Sequence, residues 1–491
     1  MKNYFIGFLF FTIGITAFTF KSDDLKAVFF RINEDVLKNG KVYETLGEAT
    51  SSIGHRLTGS TNGKKAEEYA YNLFKKYGFP NTQYQPFVVE SWSRDTVSLT
   101  LVPEKSDNYV DYEVVALAHS PVSSHITGKI VDCGDGLEED FERVKEEVKG
   151  KVALFNINLQ SETNKGKKNL HRSEKTALAI QYGATGVIIA NAVEGGVLLT
   201  GTASVTGELI PIPAVCVSVE SGKSMRRWIR DEKNILAVID MRNFSRPINA
   251  RNVIATLPGT SKKLKNEKII IGGHLDSWDL ATGAMDNGIG SFTILDVARV
   301  FKNLNLKTKR TIEFTMFMGE EQGLLGSRYM VKKYLESNQL KNVKLMMNLD
   351  MVNNTMGFNA GGNEALKAKM DEIGEIIKQI DSEYKNTNRN AAGLHSDNQP
   401  FMLRGVSTCS PSGSFPVKAY NCYHANCDRF DLINKDQINN NVRFTAMMLY
   451  ALANMEDLPT KTMSEEETKE FLTKQNLKKE LIIGKDWRWE Q

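Results

Sequence analysis

Cysteine is scarce in this chain of 491 residues. There are five, Cys133, Cys216, Cys409, Cys422 and Cys427, too few for a disulfide scaffold and without the paired C-x-x-C spacing of a structural zinc site. The odd number leaves at least one thiol unpaired, so core positions with room for one bridge are expected. An excess of charge of one sign is also lacking: 62 Lys and Arg face 59 Asp and Glu, a formal net charge of +3. With no basic tract interleaved with aromatics, nucleic acid is not an expected partner. Two catalytic signatures are missing as well. No G-x-S-x-G elbow occurs, which disfavours a serine hydrolase, and no H-E-x-x-H, which removes the thermolysin-like zinc peptidases. Long apolar runs are absent after the first, which extends from Tyr4 to Phe20 between Lys2 and the charged stretch Lys21 to Lys26. That shape, somewhat short for a spanning helix of roughly 20 residues, predicts a secretory signal peptide over residues 1–20. No small-x-small cleavage site is obvious, so a membrane anchor stays open.

A chain of this length exceeds the size at which one hydrophobic core keeps growing, so two domains are expected. Apolar residues at helical spacing (Ala66, Tyr69, Ala70, Leu73, Phe74) predict a helix from Asn62 to Tyr77, with Gly78 as its stop. From about 115 to 245 the pieces are short. Lys151–Asn156, Val187–Ala192 and Pro213–Ser218 read as strands and Glu174–Tyr182 as a helix, with Gly and Thr crowding the connections, which indicates a small inserted α+β module. Beyond residue 250 strands and helices alternate: strands Lys268–Gly272, Thr311–Met318 and Val343–Leu349, with helices near 288–303, 324–337 and 364–380. Such βαβ units predict an α/β fold, a mostly parallel mixed sheet flanked by helices. In these sheets ligands bind outside the carboxyl ends of the strands.

The chemistry-bearing residues all fall at those ends. His274 and Asp276 close the first strand in GGHLDS, Asp286 ends the next loop in GAMDNG, and Glu320 and Glu321 follow a strand in MGEEQGLLGS. Asp350 closes another strand in NLDM, and His424 lies in YHANCDRFDLI. Each alone is a weak signal, because a carboxylate after a strand is usually a cap or a solvated loop residue. Together, two imidazoles and three carboxylates suit a pair of zinc ions bridged by one carboxylate.

These motifs, with HRLTGSTNGKKA (His55 to Ala66) and the insert segments KGKVALF, GATGVIIAN and IPAVCVS, resemble the co-catalytic zinc aminopeptidase family. Within it, they are similar to the plasma glutamate carboxypeptidase-like branch with its protease-associated insert. The resemblance implies a discontinuous peptidase domain over 21–114 and 246–491 and a protease-associated lid over 115–245. It implies that Asp286 bridges two Zn²⁺ ions, one also held by His274 and Asp350 and the other by Glu321 and His424. Glu320 would be the general base, Asp276 would fix the tautomer of His274, and Tyr423 would donate its phenol to the developing oxyanion. The implied substrates are short peptides with a free amino terminus, cleaved outside the cytoplasm, whether secreted, periplasmic or at the cell envelope. A membrane partner follows only if the first segment stays uncleaved, and a homodimer is left open.

Three places depart from the family pattern. Met285 stands before the bridging aspartate where many relatives have an acid. Cys422 and Cys427 flank His424, where they either pack or form a bridge that would stiffen its loop. The stretch His395, Ser396 and Asp397, followed by Gln399, Pro400 and Phe401, resembles a loop on the substrate side. The insert contains none of the expected ligands, and its histidines His119, His125 and His171 are scattered among loop-like residues, so a lid without catalytic groups is expected. Two other functions compete: glutaminyl cyclisation on the same fold, which needs one zinc, and a catalytically dead receptor that has lost ligands.

Overall fold

The structure, a computed structural model, describes residues 22–104, 108–231 and 234–490. The expected signal peptide lies outside the described residues, and no described helix is long and apolar enough to cross a membrane. In chain order the strands are β1 (Gln83–Pro103), β2 (Val110–Tyr112), β3 (Val114–Ala116), β4 (Ser123–Asp132), β5 (Val152–Asn156), β6 (Gly186–Ala190) and β7 (Ala214–Val217). They continue as β8 (Ile235–Leu257), β9 (Lys268–His274), β10 (Thr311–Phe317), β11 (Val343–Asn348), β12 (Gly357–Asn359) and β13 (Thr408–Ser412).

Hydrogen bonding links them in the order β12-β13-β11-β9-β10-β8-β4-β5-β6-β7-β3, with β1 laid along β8. β13, β11, β9 and β10 form one parallel block and β4 to β7 another. Between them β8 runs antiparallel to both β10 and β4. Its register explains how one strand serves two units: Val253–Leu257 pair with β10, whereas Leu236–Arg242 pair with β4. At roughly 3.3 Å per residue a strand of this length reaches across both. The boundary expected at 245 falls inside it.

Local sequence accounts for the elements that carry the site. Helix Thr61–Lys76 starts where the Ser60 hydroxyl accepts the Gly63 N–H, and it buries Ala66, Ala70, Leu73 and Phe74 on one face. β9, β10 and β11 are buried almost throughout, as expected of strands covered on both faces. Helix Ile289–Asn303 is buried along nearly its whole length, with helices Val42–Ser52 and Lys435–Asn454 packed against it. The strand register sets the carboxyl ends of β9, β10 and β11 side by side, with Phe317 opposite His274 and Asn348 opposite Gly272.

Candidate metal centre

Where β9 ends, the His274 imidazole is 1% exposed. Its Nε2 stands 3.3 Å from Asp286 Oδ1 and 3.3 Å from Asp350 Oδ1. The second imidazole, His424, places Nε2 2.9 Å from Asp286 Oδ2 and 3.1 Å from Glu321 Oε2. Asp286 therefore turns one oxygen to each histidine. Two ligand groups result, His274 with Asp286 and Asp350, and Asp286 with Glu321 and His424, the ligand atoms of each lying within 4.8 Å of one another. Atoms bound at about 2.0–2.2 Å to one tetrahedral ion are themselves ~3.4 Å apart, so these spacings fit a metal in each group. Glu321 supplies an independent sign: its Oε1 is buried and accepts no hydrogen bond, an arrangement that a cation would satisfy.

The electrostatics point the same way. Burial alone would depress the His274 imidazole, yet Glu320, Asp350, Asp276 and Asp286 hold it well above its ordinary value. Burial and the neighbouring carboxylates, Asp350 and Glu321 among them, push Glu320 well above its ordinary value against the pull of His274. Burial also raises Glu321, although His424 opposes it, and Asp286 is held low against its burial by hydrogen bonds to both imidazoles. Arg56, a buried guanidinium beside this cluster, is committed elsewhere, to the carbonyls of Leu275, Thr282 and Gly283 at 2.5, 2.8 and 2.8 Å. Arg56 is therefore not hydrogen-bonded to the carboxylates of either ligand group.

Glu320 belongs to neither ligand group, and its Oε2 is 4.0 Å from His274 Nε2. Asp276 acts on His274 chiefly through its backbone. The ring Nδ1 is 3.1 Å from the Asp276 carbonyl and 3.7 Å from its carboxylate. The chain leaves the strand after His274, and the carboxylate is drawn aside by the Thr58 hydroxyl at 3.0 Å and the Glu320 N–H at 3.4 Å. Tyr423 stacks on the His424 ring, with centroids 3.9 Å apart. Burial raises its phenol, and Arg172 beside it pulls the other way. The loop 395–397 reaches the site as well: Ser396 donates to Asp350 Oδ2 at 2.5 Å, and His395 stacks on His171 of the insert at 4.7 Å.

Some residues were hidden from the sequence reading. Asp428 accepts the N–H groups of Met285 and Asp286 at 2.7 and 3.0 Å, shaping the turn that presents the Asp286 carboxylate. Met285 itself is fully buried. Thr58 and Arg56 lie within the HRLTGS motif and Asp428 four residues after His424, so their sequence neighbourhood alone marks them.

The insert proves to be more than a cover. The Thr200 carbonyl lies 3.2 Å from His424 Nδ1, and the Thr200 N–H donates to the His424 carbonyl at 2.9 Å. His171 is no scattered loop residue, since it caps helix Arg172–Gln181 and lines the cleft. Arg172, 4% exposed, also lines the cleft, and its Nε has no hydrogen-bond partner. A Cβ at Gly201 would meet that guanidinium at 2.0 Å, so glycine there makes room for it. The cleft encloses about 220 Å³ with the two ligand groups on its floor.

Residues 252–449 match the pattern of peptidase family M28, and residues 126–225 match that of the PA domain. Carboxypeptidase Q of Bos taurus is 24% identical over 420 residues, 85% of this chain and 86% of that protein. Leucine aminopeptidase 2 of Trichophyton equinum is 28% identical over 305 residues, 61% of this chain and 54% of that protein. The fold is similar to that of a peptidase M28 precursor from Shewanella amazonensis SB2B, with TM-score 0.74 and 21% identity over 90% of this chain and 100% of that one. It is also similar to an aminopeptidase from Aneurinibacillus sp. strain AM-1, with TM-score 0.65 and 25% identity over 89% and 98%. Residues 252–449 are thus a peptidase family M28 unit, and the chain is a zinc-dependent exopeptidase with a PA domain inserted into its α/β fold.

Proposed function

We propose that this enzyme hydrolyses short peptides with a free amino terminus, as an aminopeptidase or dipeptidase, at a pair of zinc ions. The observation that carries the reading is the sharing of Asp286 between two ligand groups on the floor of a narrow cleft. His274 and Asp350 would hold one zinc, Glu321 and His424 the other. Bound there, such a pair lowers the pKa of water and polarises the scissile carbonyl.

The remaining work falls to the chain. Glu320, next to a ligand but outside both groups, takes the proton of the attacking water and passes it to the leaving amine. Tyr423 offers its phenol to the oxyanion, and the Asp276 carbonyl keeps His274 in the tautomer that presents Nε2. The cleft is smaller than the ~300–1,000 Å³ sites that take drug-sized ligands, which favours a substrate of two or three residues. Arg172, a buried cation facing this cleft, favours a peptide whose carboxylate lies near the scissile bond. Export is supported by the apolar run from Tyr4 to Phe20 and by the Cys422–Cys427 bridge, since disulfides persist in oxidising compartments.

Cleavage of free and N-acetylated di- and tripeptides by the zinc-loaded protein tests this. Turnover of the free peptides with little of the acetylated ones is expected. The reverse preference would make the enzyme a carboxypeptidase and overturn the reading.

A further inference from the structure

The segment 465–490 follows the part of the chain that matches the peptidase family and supplies none of the expected ligands, yet it is bonded to both units of the molecule. On the catalytic side, Asp486 accepts two guanidinium hydrogen bonds from Arg328 at 2.7 and 2.6 Å and one from the Gln399 amide at 2.7 Å. Leu472, Leu477 and Leu481 are buried in a cluster with Met402 and Leu403. On the insert side, helix Lys478–Ile483 packs on helix Arg172–Gln181. Lys479 pairs with Glu138 at 2.8 Å and Lys168 with Glu480 at 2.5 Å. Between these two attachments Glu480, Leu481, Gly484 and Asp486 line the same cleft as the metal-ligand groups.

We infer that residues 478–486 form the end wall of the cleft and, by clasping the insert to the catalytic unit, determine how long a peptide the enzyme accepts. The inference rests on the short-peptide reading above. Each further residue of an extended peptide needs about 3.3–3.6 Å of additional length, so a wall fixed across a cleft of about 220 Å³ admits two or three residues and stops a longer chain. The wall is fixed to the catalytic unit by Asp486 and the leucine cluster, and the two ion pairs to the insert close its other side. Lys168 is 57% exposed while its partner Glu480 is 9% exposed, so the lysine can be replaced without disturbing the core, and the carboxylate it leaves is held in place. Reversing its charge would set an anion against a carboxylate that cannot turn away, which undoes the docking more firmly.

The test compares the wild type with Lys168→Glu/Lys479→Glu, and with the same variant carrying Glu138→Lys to re-form one pair. For each zinc-loaded protein, kcat/KM is measured on a free-ended dipeptide and on a hexapeptide that begins with the same residues. Hydrogen exchange is followed in 172–181 and 478–486. In the double reversal the hexapeptide-to-dipeptide ratio should rise about tenfold, equivalent to ~1.4 kcal/mol, with faster exchange in both helices. The third variant should fall back towards the wild type. An unchanged ratio in a folded, zinc-replete double variant would overturn the inference, as would equal losses on both substrates. If the double variant does not fold, Lys479→Glu alone replaces it, with a smaller rise expected and an unchanged ratio again overturning the inference. A wild type that cleaves the hexapeptide as readily as the dipeptide refutes the wall but leaves the hydrolase intact. One that cleaves neither refutes the proposed function instead.

Discussion

Glu320 and Glu321 are neighbours of one type in different surroundings. Glu321 meets His424 at 3.1 Å and has an unpaired buried oxygen, whereas Glu320 meets no second imidazole and stays outside both ligand groups. Glu321→Ala should therefore empty one zinc position and abolish activity by that route. Glu320→Gln should keep both zinc ions and lose at least the ~10² to 10⁴ that general-base assistance contributes. Near-normal turnover in Glu320→Gln, or loss of its metal, would refute the assignment. Tyr423→Phe should lower kcat by about 10²- to 10³-fold with zinc content unchanged; if kcat does not move, the ring merely packs on His424. At this scale the sequence was legible where ligand type and strand position coincide. It was silent about Arg56, Thr58 and Asp428, which act by binding backbone carbonyls, N–H groups and a neighbouring carboxylate, contacts that leave no spacing to read.

The loop around His424 shows what an element adds. Its histidine sits at φ 54°, a left-handed conformation that residues with a Cβ rarely hold unaided. Three ties hold it there: the Cys422–Cys427 bridge, the two hydrogen bonds to Thr200, and the stacked Tyr423. Replacing both cysteines with serine should destabilise the fold by about 2 kcal/mol, the loop-closure value for so short a ring. It should also speed zinc loss from the Glu321–His424 position more than from its partner. Metal release followed with a chromogenic chelator reads this directly, and equal release from both positions would show that the bridge only staples the surface. The bridge was open in the sequence, since five cysteines allow several pairings. Thr200 was unreadable, because it is the backbone of an ordinary insert residue that reaches the ligand. The helices and buried strands were more legible, as their periodicity and caps are local properties. Helix Glu364–Ile380 and strand Val152–Asn156 stand within a residue of where the pattern places them.

Across the whole molecule the insert and the catalytic unit share one sheet through β8, and the metal site depends on both. No local pattern announces a strand of 23 residues that alternates buried and exposed positions at one end and is buried on both faces at the other. Local patterns on either side of β8 therefore indicate a separate module, although the strand joins the two units. The same holds for residues 465–490, where Asp486 meets Gln399 and Arg328 across 87 and 158 positions of sequence. What the sequence did convey at this scale is the architecture: a mostly parallel sheet with its ligands at the carboxyl ends of β9, β10 and β11. The account as a whole stands on two metals shared through Asp286. Zinc titrated into the chelator-stripped protein, with bound metal and hydrolysis of a free-ended dipeptide measured in the same samples, tests that claim most directly. The account predicts two tightly bound equivalents per chain, with activity reaching its plateau at the second. A plateau at one equivalent, or two bound zinc ions without hydrolysis, would contradict it.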